Sequence, residues 1–104
     1  MNASEQTILG TAHVVIAGEM TIYTARDWRD RLLIAMEAPG DVVLDLSGVS
    51  DIDAAGIQLL ASLALEARAA ERALRFSAVS PRIREAFEFC RLMEFFKDAL
   101  AGAR

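Results

Sequence analysis

The sequence has little of the chemistry on which most catalytic sites depend. Its 104 residues include one histidine, one cysteine and a single lysine, Lys97. It has no cluster with metal-ligand spacing, no Ser-His-Asp set and no glycine-rich phosphate loop. His13 stands beside no recognisable nucleophile, and Cys90 is predicted to pack on an apolar helical face as a small hydrophobic side chain. We therefore expect a protein that is not an enzyme and uses neither a cofactor nor a metal.

Disulfides, basic charge and long apolar runs are scarce as well. One cysteine cannot form an internal disulfide, and residues 1–6 lack the basic and apolar regions of a signal peptide, which predicts a cytoplasmic protein. A net charge of −4 and an isoelectric point near 4.9 argue against a nucleic-acid-binding surface. No apolar run approaches the ~20 residues that a membrane span needs, so we expect no membrane insertion.

The composition that remains is that of a folded domain. Apolar residues make up 54% of the chain and charged residues 25%, with two prolines. No repeat, linker or low-complexity segment divides the sequence. We expect residues 1–104 to form one domain around a single core.

The stretch from residue 41 to residue 65 organises the rest of the chain. Residues 42–46 form a short apolar run with β-branched members, which predicts a strand buried on both faces. Residues 47–53 read as a polar loop. Asp53 is placed to cap a helix, and Gly56 in the first turn of that helix predicts a close approach by another segment. A strand followed by a helix N-terminus is where α/β proteins keep their sites.

Strand and helix signals alternate along the remaining chain. Residues 6–9 and 13–17 predict an antiparallel hairpin, residues 18–23 a loop, and Thr24 with Asp27 a capping arrangement for a first helix. Alternation from residue 13 onward implies parallel strands joined by helices. The prediction is an α/β fold with a mixed four-stranded sheet, its first strand antiparallel, surrounded by about four helices.

The C-terminal third supplies the last strand and two of those helices. Leu74 and Phe76 alternate with polar residues, and Ser80-Pro81 reads as a cap followed by proline at the first helical position. The segment around Phe95-Phe96 is apolar enough to predict a short fourth helix. Residues 101–104 are predicted to fray.

The second helix has an unusually broad apolar surface. Its apolar residues between positions 57 and 67 spread over roughly two-thirds of the circumference. Two interpretations stay open. The helix is packed between the sheet and another helix, which we favour, or part of its apolar arc meets a partner.

Residues 45–60, DLSGVSDIDAAGIQLL, resemble the signature of the STAS domain, a module shared by sulfate transporters and anti-sigma factor antagonists. The resemblance covers nearly the whole chain, because Gly18-Glu19-Met20 and Val79-Ser80-Pro81 are also similar to landmarks of that family. In the regulated antagonists, a partner kinase phosphorylates the serine or threonine that directly follows the motif aspartate. That position here is Ala54, which has no hydroxyl group.

The resemblance implies a non-catalytic module that docks on a protein partner and is not switched by phosphorylation at Ala54. The implied partner is an anti-sigma or histidine-kinase-like ATPase, or another signalling protein. Two alternatives stay open: a cytoplasmic subunit of an ABC-type lipid transporter, and a sensor of a small ligand or nucleotide. The expected partner-binding residues lie around the start of the second helix: Glu19, Met20, Thr21, Ser50, Asp53, Ala54, Ala55 and Gly56.

Overall fold

The computed structural model describes the backbone of residues 2–8 and the whole of residues 10–104. Strands and helices alternate after an initial hairpin. In chain order they are β1 (Asn2–Ile8), β2 (Thr11–Met20), α1 (Ala25–Ala35), β3 (Val42–Ile52), α2 (Ala54–Ala69), β4 (Leu74–Val79), α3 (Pro81–Phe89) and α4 (Lys97–Leu100). Leu9, predicted to end the first strand, lies outside the described residues.

The sheet corrects the predicted architecture. Over residues 10–104 it has three strands in the order β2, β3, β4, and all of them are parallel, so the prediction of a mixed four-stranded sheet is wrong for this part of the chain. Parallel neighbours need a crossover, and α1 and α2 supply the two crossovers. The backbone of β1 runs antiparallel beside β2 and extends this parallel unit at its outer edge.

The helices do not surround the sheet but cover one of its faces. Val42, Leu44 and Leu46 are fully buried, whereas Val43 and Asp45 between them are only partly buried. The prediction that β3 is buried on both faces is therefore wrong. The apolar Val43 made the run look continuous, although its side chain points to the open face as the period of two requires. Among the described residues of β2 and β4, too, buried and more exposed positions largely alternate.

Parts of two predicted loops, residues 18–20 and 47–52, belong to strands. Strand β2 continues to Met20 and β3 to Ile52, and the two pair at their ends, with Met20 opposite Ile52. The register between them shifts at two irregularities, one between Val15 and Ala17 and one between Gly18 and Glu19. Such bulges bend a strand and break its regular alternation, which is why the polar residues there looked like loop positions.

The core is one cluster between the covered face and the four helices. Trp28 and Leu32 of α1 and Leu60 and Leu63 of α2 are almost fully buried in it. Its aromatic part joins β4 to the C-terminal helices: Phe76, Phe87 and Phe96 contact one another, and the last two rings stack at 4.3 Å between centroids. The C-terminal segment therefore folds over the domain as predicted, with α4 at its end.

The cap predicted for α3 is present, whereas the one predicted for α1 is not. Ser80 accepts a hydrogen bond from the backbone N–H of Ile83 at 3.2 Å, with proline at the first helical position, as predicted. Thr24 does not cap α1 with its side chain. Its hydroxyl instead donates to the carbonyl oxygen of Glu19 at 2.8 Å. The threonine thus orders the loop before the helix and not the first turn of the helix.

Arg72 binds the carbonyl groups at the C-terminal end of α1. Its guanidinium donates hydrogen bonds to the carbonyl oxygens of Met36, Ala38 and Gly40, the last from Nε at 2.8 Å. Carbonyls that follow a helix C-terminus lack partners within the helix, so a single side chain satisfies three groups here. Arg72 thereby joins the turn after α2 to the connection between α1 and β3.

The end of the chain is also held in place. The backbone N–H of Arg104 donates to the carbonyl oxygen of Ser77 at 3.1 Å, and the N–H of Val79 donates to the carbonyl oxygen of Arg104 at 2.9 Å. The expectation that residues 101–104 fray is therefore wrong. A backbone bond on each side fixes Arg104 against the edge of β4.

Candidate functional site

The N-terminus of α2 is fixed by one carboxylate. Asp53 caps the helix: its Oδ1 accepts hydrogen bonds from the backbone N–H groups of Ala55, at 2.9 Å, and Gly56, at 3.2 Å. Its Oδ2 accepts from the backbone N–H of Ile22, at 2.9 Å, in the loop between β2 and α1. The helix start and that loop therefore form one unit.

These donors change the acidity of Asp53. The N–H of Ile22 is the main cause that lowers the pKa of this carboxyl below its ordinary value, with help from the N–H groups of Gly56 and Ala55. Partial burial acts in the opposite direction and is outweighed. The carboxylate is thus ionised throughout the physiological range, as an N-cap beside the positive end of a helix dipole should be.

The loop between β2 and α1 is rigidly built. Thr21 is buried, and its carbonyl oxygen accepts hydrogen bonds from the N–H groups of Thr24, at 2.9 Å, and Ala25, at 2.7 Å. The indole N–H of Trp28 donates to the carbonyl oxygen of Glu19 at 3.0 Å. Since these bonds occupy the polar groups inside the turn, the loop presents Ile22 and Tyr23 outward.

Gly56 allows the helix to approach the sheet. A methyl group at this position would overlap the carbonyl oxygen of Met20 and come within 2.8 Å of a side-chain carbon of Ile52. The same Met20 oxygen accepts the backbone N–H of Asp53 at 3.2 Å. The close approach predicted from the sequence is therefore made by the end of β2.

The structure brings the eight predicted partner-binding residues to one end of the sheet, but it does not expose all of them. Glu19, Ser50 and Ala54 are exposed, and Asp53 and Ala55 are partly buried. Met20, Thr21 and Gly56 are buried and lie beneath this surface. Ala54, the position of the family's hydroxyl residue, stands at the exposed start of α2.

Sequence reasoning missed the most exposed apolar residues near Ala54. Tyr23 is 90% exposed, Phe89 89% and Ile22 70%. Two signals were present: two large apolar residues in a predicted loop, and an aromatic residue outside the apolar face of α3. Exposed large apolar side chains on either side of one helix start are typical of an interaction surface.

A groove between α2 and α3 continues this apolar surface. The α2–α3 groove has a volume of about 380 Å³ and is lined by Ile52, Asp53, Ala54, Ile57, Arg82, Glu85, Ala86, Phe89 and Cys90. Its charged rim is internally paired, because Arg82 lies 3.4 Å from Asp51 and 3.3 Å from Glu85. Apolar contact is thus what this groove offers a partner.

A second groove, between α1 and α2, lies on the other side of Ala55. The α1–α2 groove has a volume of about 580 Å³ and is lined by Ala25, Arg26, Arg29, Ala55, Gln58, Leu59 and Ser62. It is more polar than the α2–α3 groove. The start of α2 therefore separates an apolar groove from one that carries two arginines.

The site contains little that could perform chemistry. Within residues 10–104 no group of three or more His, Cys, Asp or Glu side chains could hold a metal ion, and no buried side-chain nitrogen or oxygen lacks a hydrogen-bond partner. Cys90 is exposed at the end of α3, so the prediction that it packs as a buried hydrophobic side chain is wrong. The carboxylate of Asp53 accepts hydrogen bonds from three backbone N–H groups.

No helix in the described part of the chain combines the length and apolar character needed to cross a bilayer.

Solved structures with a similar fold include proteins of two kinds. The anti-sigma factor antagonist SpoIIAA in its unphosphorylated form superposes with a TM-score of 0.72 at 19% identity, over 88% of this chain and 82% of that one. An anti-sigma factor antagonist from Mycobacterium paratuberculosis gives 0.73 at 22% identity, over 90% and 80%. A sulfate transporter family protein from Wolinella succinogenes gives 0.71 at 24% identity, over 92% and 86%.

Comparison of the sequence itself gives a more specific result. No curated protein matches the chain. The family described as "Mlab, STAS domain" matches residues 4–100, which include every strand and helix of the parallel unit. The resemblance first seen in residues 45–60 thus extends over the domain, and the chain belongs to the STAS domain family.

Proposed function

We propose that this chain is a non-catalytic, cytoplasmic STAS module, folded as one domain, that docks on a signalling protein through the N-terminal end of α2. The proposed docking face consists of Ile22, Tyr23, Ala54, Ile57 and Phe89. The partner class is an anti-sigma or histidine-kinase-like ATPase. The similar fold of two anti-sigma factor antagonists supports this choice of partner.

The observation that carries the proposal is the exposure of apolar side chains on a rigid base. Ile22 and Tyr23 project from a loop whose backbone is tied to Asp53, and Phe89 borders a groove that reaches Ala54. A preorganised surface loses little conformational freedom when it binds. Aromatic side chains at its centre are typical of residues that dominate binding energy.

Because residue 54 is an alanine, phosphorylation at this position cannot regulate the proposed docking. The side chain is exposed and has no hydroxyl, so a kinase has nothing to phosphorylate there. A phosphate at the same place would bring close to two negative charges into an apolar interface and would oppose association. The partner of this chain would be released by some other signal.

The experiment is a binding titration with a defined partner. An anti-sigma or histidine-kinase-like ATPase whose gene lies next to that of this chain would serve as the partner, and calorimetry would compare wild type with Ala54→Asp and Ala54→Ser. We expect Ala54→Asp to weaken binding about tenfold or more, because a buried unpaired charge costs over ~1.4 kcal/mol. Ala54→Ser should bind like wild type.

Melting temperature supplies the control, since an acidic residue in the first turn of a helix is mildly stabilising, by about 0.3–1 kcal/mol. Ala69→Asp, at the exposed far end of α2, is the matched variant with the same charge change. Equal affinity of wild type and Ala54→Asp, with both proteins folded, would refute docking at this end of α2.

A transporter subunit is the second candidate function. It is favoured by the fold shared with the sulfate transporter family protein from Wolinella succinogenes. The same docking face would then meet an ABC-type ATPase, or another transporter component. Neighbouring permease and ATPase genes would select this candidate, whereas a neighbouring anti-sigma kinase gene would select the first.

A further inference from the structure

We propose that the α1–α2 groove binds an acidic segment of the protein partner, next to the apolar docking face. This inference rests on the proposed function and adds the chemistry of one region of the partner. Among residues 10–104, the lining of the groove carries two arginines and no acidic side chain. The chain as a whole is acidic, with a net charge of −4, so a local pair of cations stands apart from the general charge of the protein.

The two arginines are positioned to act together. Arg26 and Arg29 are three residues apart on α1, so their side chains emerge from the same side of the helix. Both are exposed, and within residues 10–104 neither has a carboxylate oxygen within 4.0 Å. By contrast, Arg82 on the other side of α2 is held by two carboxylates. In the described part of the chain, the α1–α2 groove therefore offers two arginines without an ion pair beside the start of α2.

The opposite wall adds hydrogen-bonding groups that suit the same ligand. Gln58 and Ser62 lie four residues apart on α2 and face the arginines across the groove. The Ser62 hydroxyl already donates to the carbonyl oxygen of Gln58 at 2.9 Å. The amide group of Gln58 and the two guanidinium groups are donors, and the guanidinium fork fits a carboxylate in bidentate geometry. A segment rich in Asp or Glu meets these requirements better than a neutral or basic one.

The α1–α2 groove and the docking face meet at the start of α2. Ala55 lines the α1–α2 groove, and its neighbour Ala54 lines the α2–α3 groove. A partner that covers Ala54 with apolar side chains can therefore place an acidic segment alongside α1 without leaving the surface. Electrostatic complementarity at such a rim raises the association rate and selects among partners more than it adds affinity.

The test uses the full chain and a defined probe, a fluorescein-labelled peptide of alternating glutamate and alanine. Binding is followed by fluorescence polarisation and, with ¹⁵N-labelled protein, by NMR. We expect salt-sensitive binding that shifts the side-chain amide signals of Gln58 and the backbone signal of Ser62. Arg26→Glu combined with Arg29→Glu should weaken it at least about fivefold. A peptide with glutamine in place of glutamate should not bind.

The matched control is Arg31→Glu compared with Arg26→Glu alone, because each variant reverses one charge on α1 and only Arg26 lines the groove. Equal loss with Arg31→Glu, or signal changes confined to other surfaces, would overturn the inference. Tighter binding of pyrophosphate than of the peptide, abolished by the same double variant, would also overturn it in favour of a small-anion site. If the peptide fails while Ala54→Asp still weakens the protein partner, only the acidic-segment inference falls. If Ala54→Asp has no effect while the peptide binds, the docking face is wrong instead.

Discussion

The carboxylate of Asp53 accepts the backbone N–H of Ile22 at 2.9 Å, across 31 residues of chain. The same side chain caps α2 through Ala55 and Gly56. One aspartate thus sets the position of the loop that carries Ile22 and Tyr23 relative to the helix that carries Ala54. Its loss should affect stability and the docking face together.

Asp53→Ala should lower the free energy of unfolding by about 1–2 kcal/mol. The variant removes the N-cap and leaves three backbone donors without their acceptor. Urea denaturation followed by circular dichroism measures the change. The control is Glu85→Ala, which removes a carboxylate that makes only an exposed ion pair with Arg82, worth at most about 1 kcal/mol. A loss for Asp53→Ala no larger than that of the control would contradict the assigned role.

The lowered pKa of Asp53 predicts a specific dependence on pH. A carboxyl whose pKa is lower in the folded than in the unfolded state contributes stability above the unfolded value, about 3.9, and that contribution disappears as pH falls through the folded value. The stability difference between wild type and Asp53→Asn should therefore be constant near neutral pH and shrink below about pH 4. Urea titrations across this range test it, and a difference that grows toward acid pH would have the wrong sign.

Gly56→Ala should destabilise the protein although alanine favours helices. The gain in helix propensity is about 1 kcal/mol, but the new methyl group would overlap the backbone carbonyl of Met20, which cannot rotate away. We expect a net loss of about 1–3 kcal/mol, or a shift of α2 away from the sheet. Ala54→Gly, in the exposed first turn, makes the reverse exchange without a steric conflict and should cost no more than about 1 kcal/mol. A Gly56→Ala variant more stable than wild type would show that the helix start is not tightly packed.

Arg72→Ala should cost about 1–3 kcal/mol, because three carbonyl oxygens after α1 lose a charged donor. Arg72→Lys should recover part of this loss, since one ammonium group cannot reproduce the planar fork. Thermal denaturation of the two variants provides the comparison. Arg68→Ala, one helical turn earlier, removes a guanidinium that stacks on Phe95 and has no such carbonyl partners in the described part of the chain. Its effect should be the smaller one.

Much of the helix start was readable from sequence because short-range rules govern it. An aspartate before a helical period predicted the cap, and a glycine in the first turn predicted a close approach, and both are present at Asp53 and Gly56. Ser80-Pro81 predicted the start of α3 in the same way. The two caps depend on neighbours within four residues, where propensity and geometry act together. The approach at Gly56 is made by the distant Met20, and the sequence predicted it without naming that segment.

The failures concern relations between distant segments. Whether Val43 faces a helix or an open surface depends on which side of the sheet the crossovers take, and its own sequence does not encode that. The extension of β2 to Met20 depends on bulges against β3, which hide the alternation of a strand. The sequence carried signals for Ile22, Tyr23 and Phe89, but their exposure depends on the packing of distant segments and is known only from the structure. Docking at the start of α2 thus stays a prediction, and the exposed apolar residues beside it were not among the residues predicted.

The two backbone hydrogen bonds of Arg104 have a practical consequence for anyone who handles this protein. An unpaired strand edge is a template for association with another chain, and here part of the outer edge of β4 is occupied by the protein's own backbone. Any segment joined to Arg104 would start from a residue that two backbone hydrogen bonds hold against β4. Removal of residues 101–104 would expose the carbonyl oxygen of Ser77 and the N–H of Val79 for pairing with a second molecule.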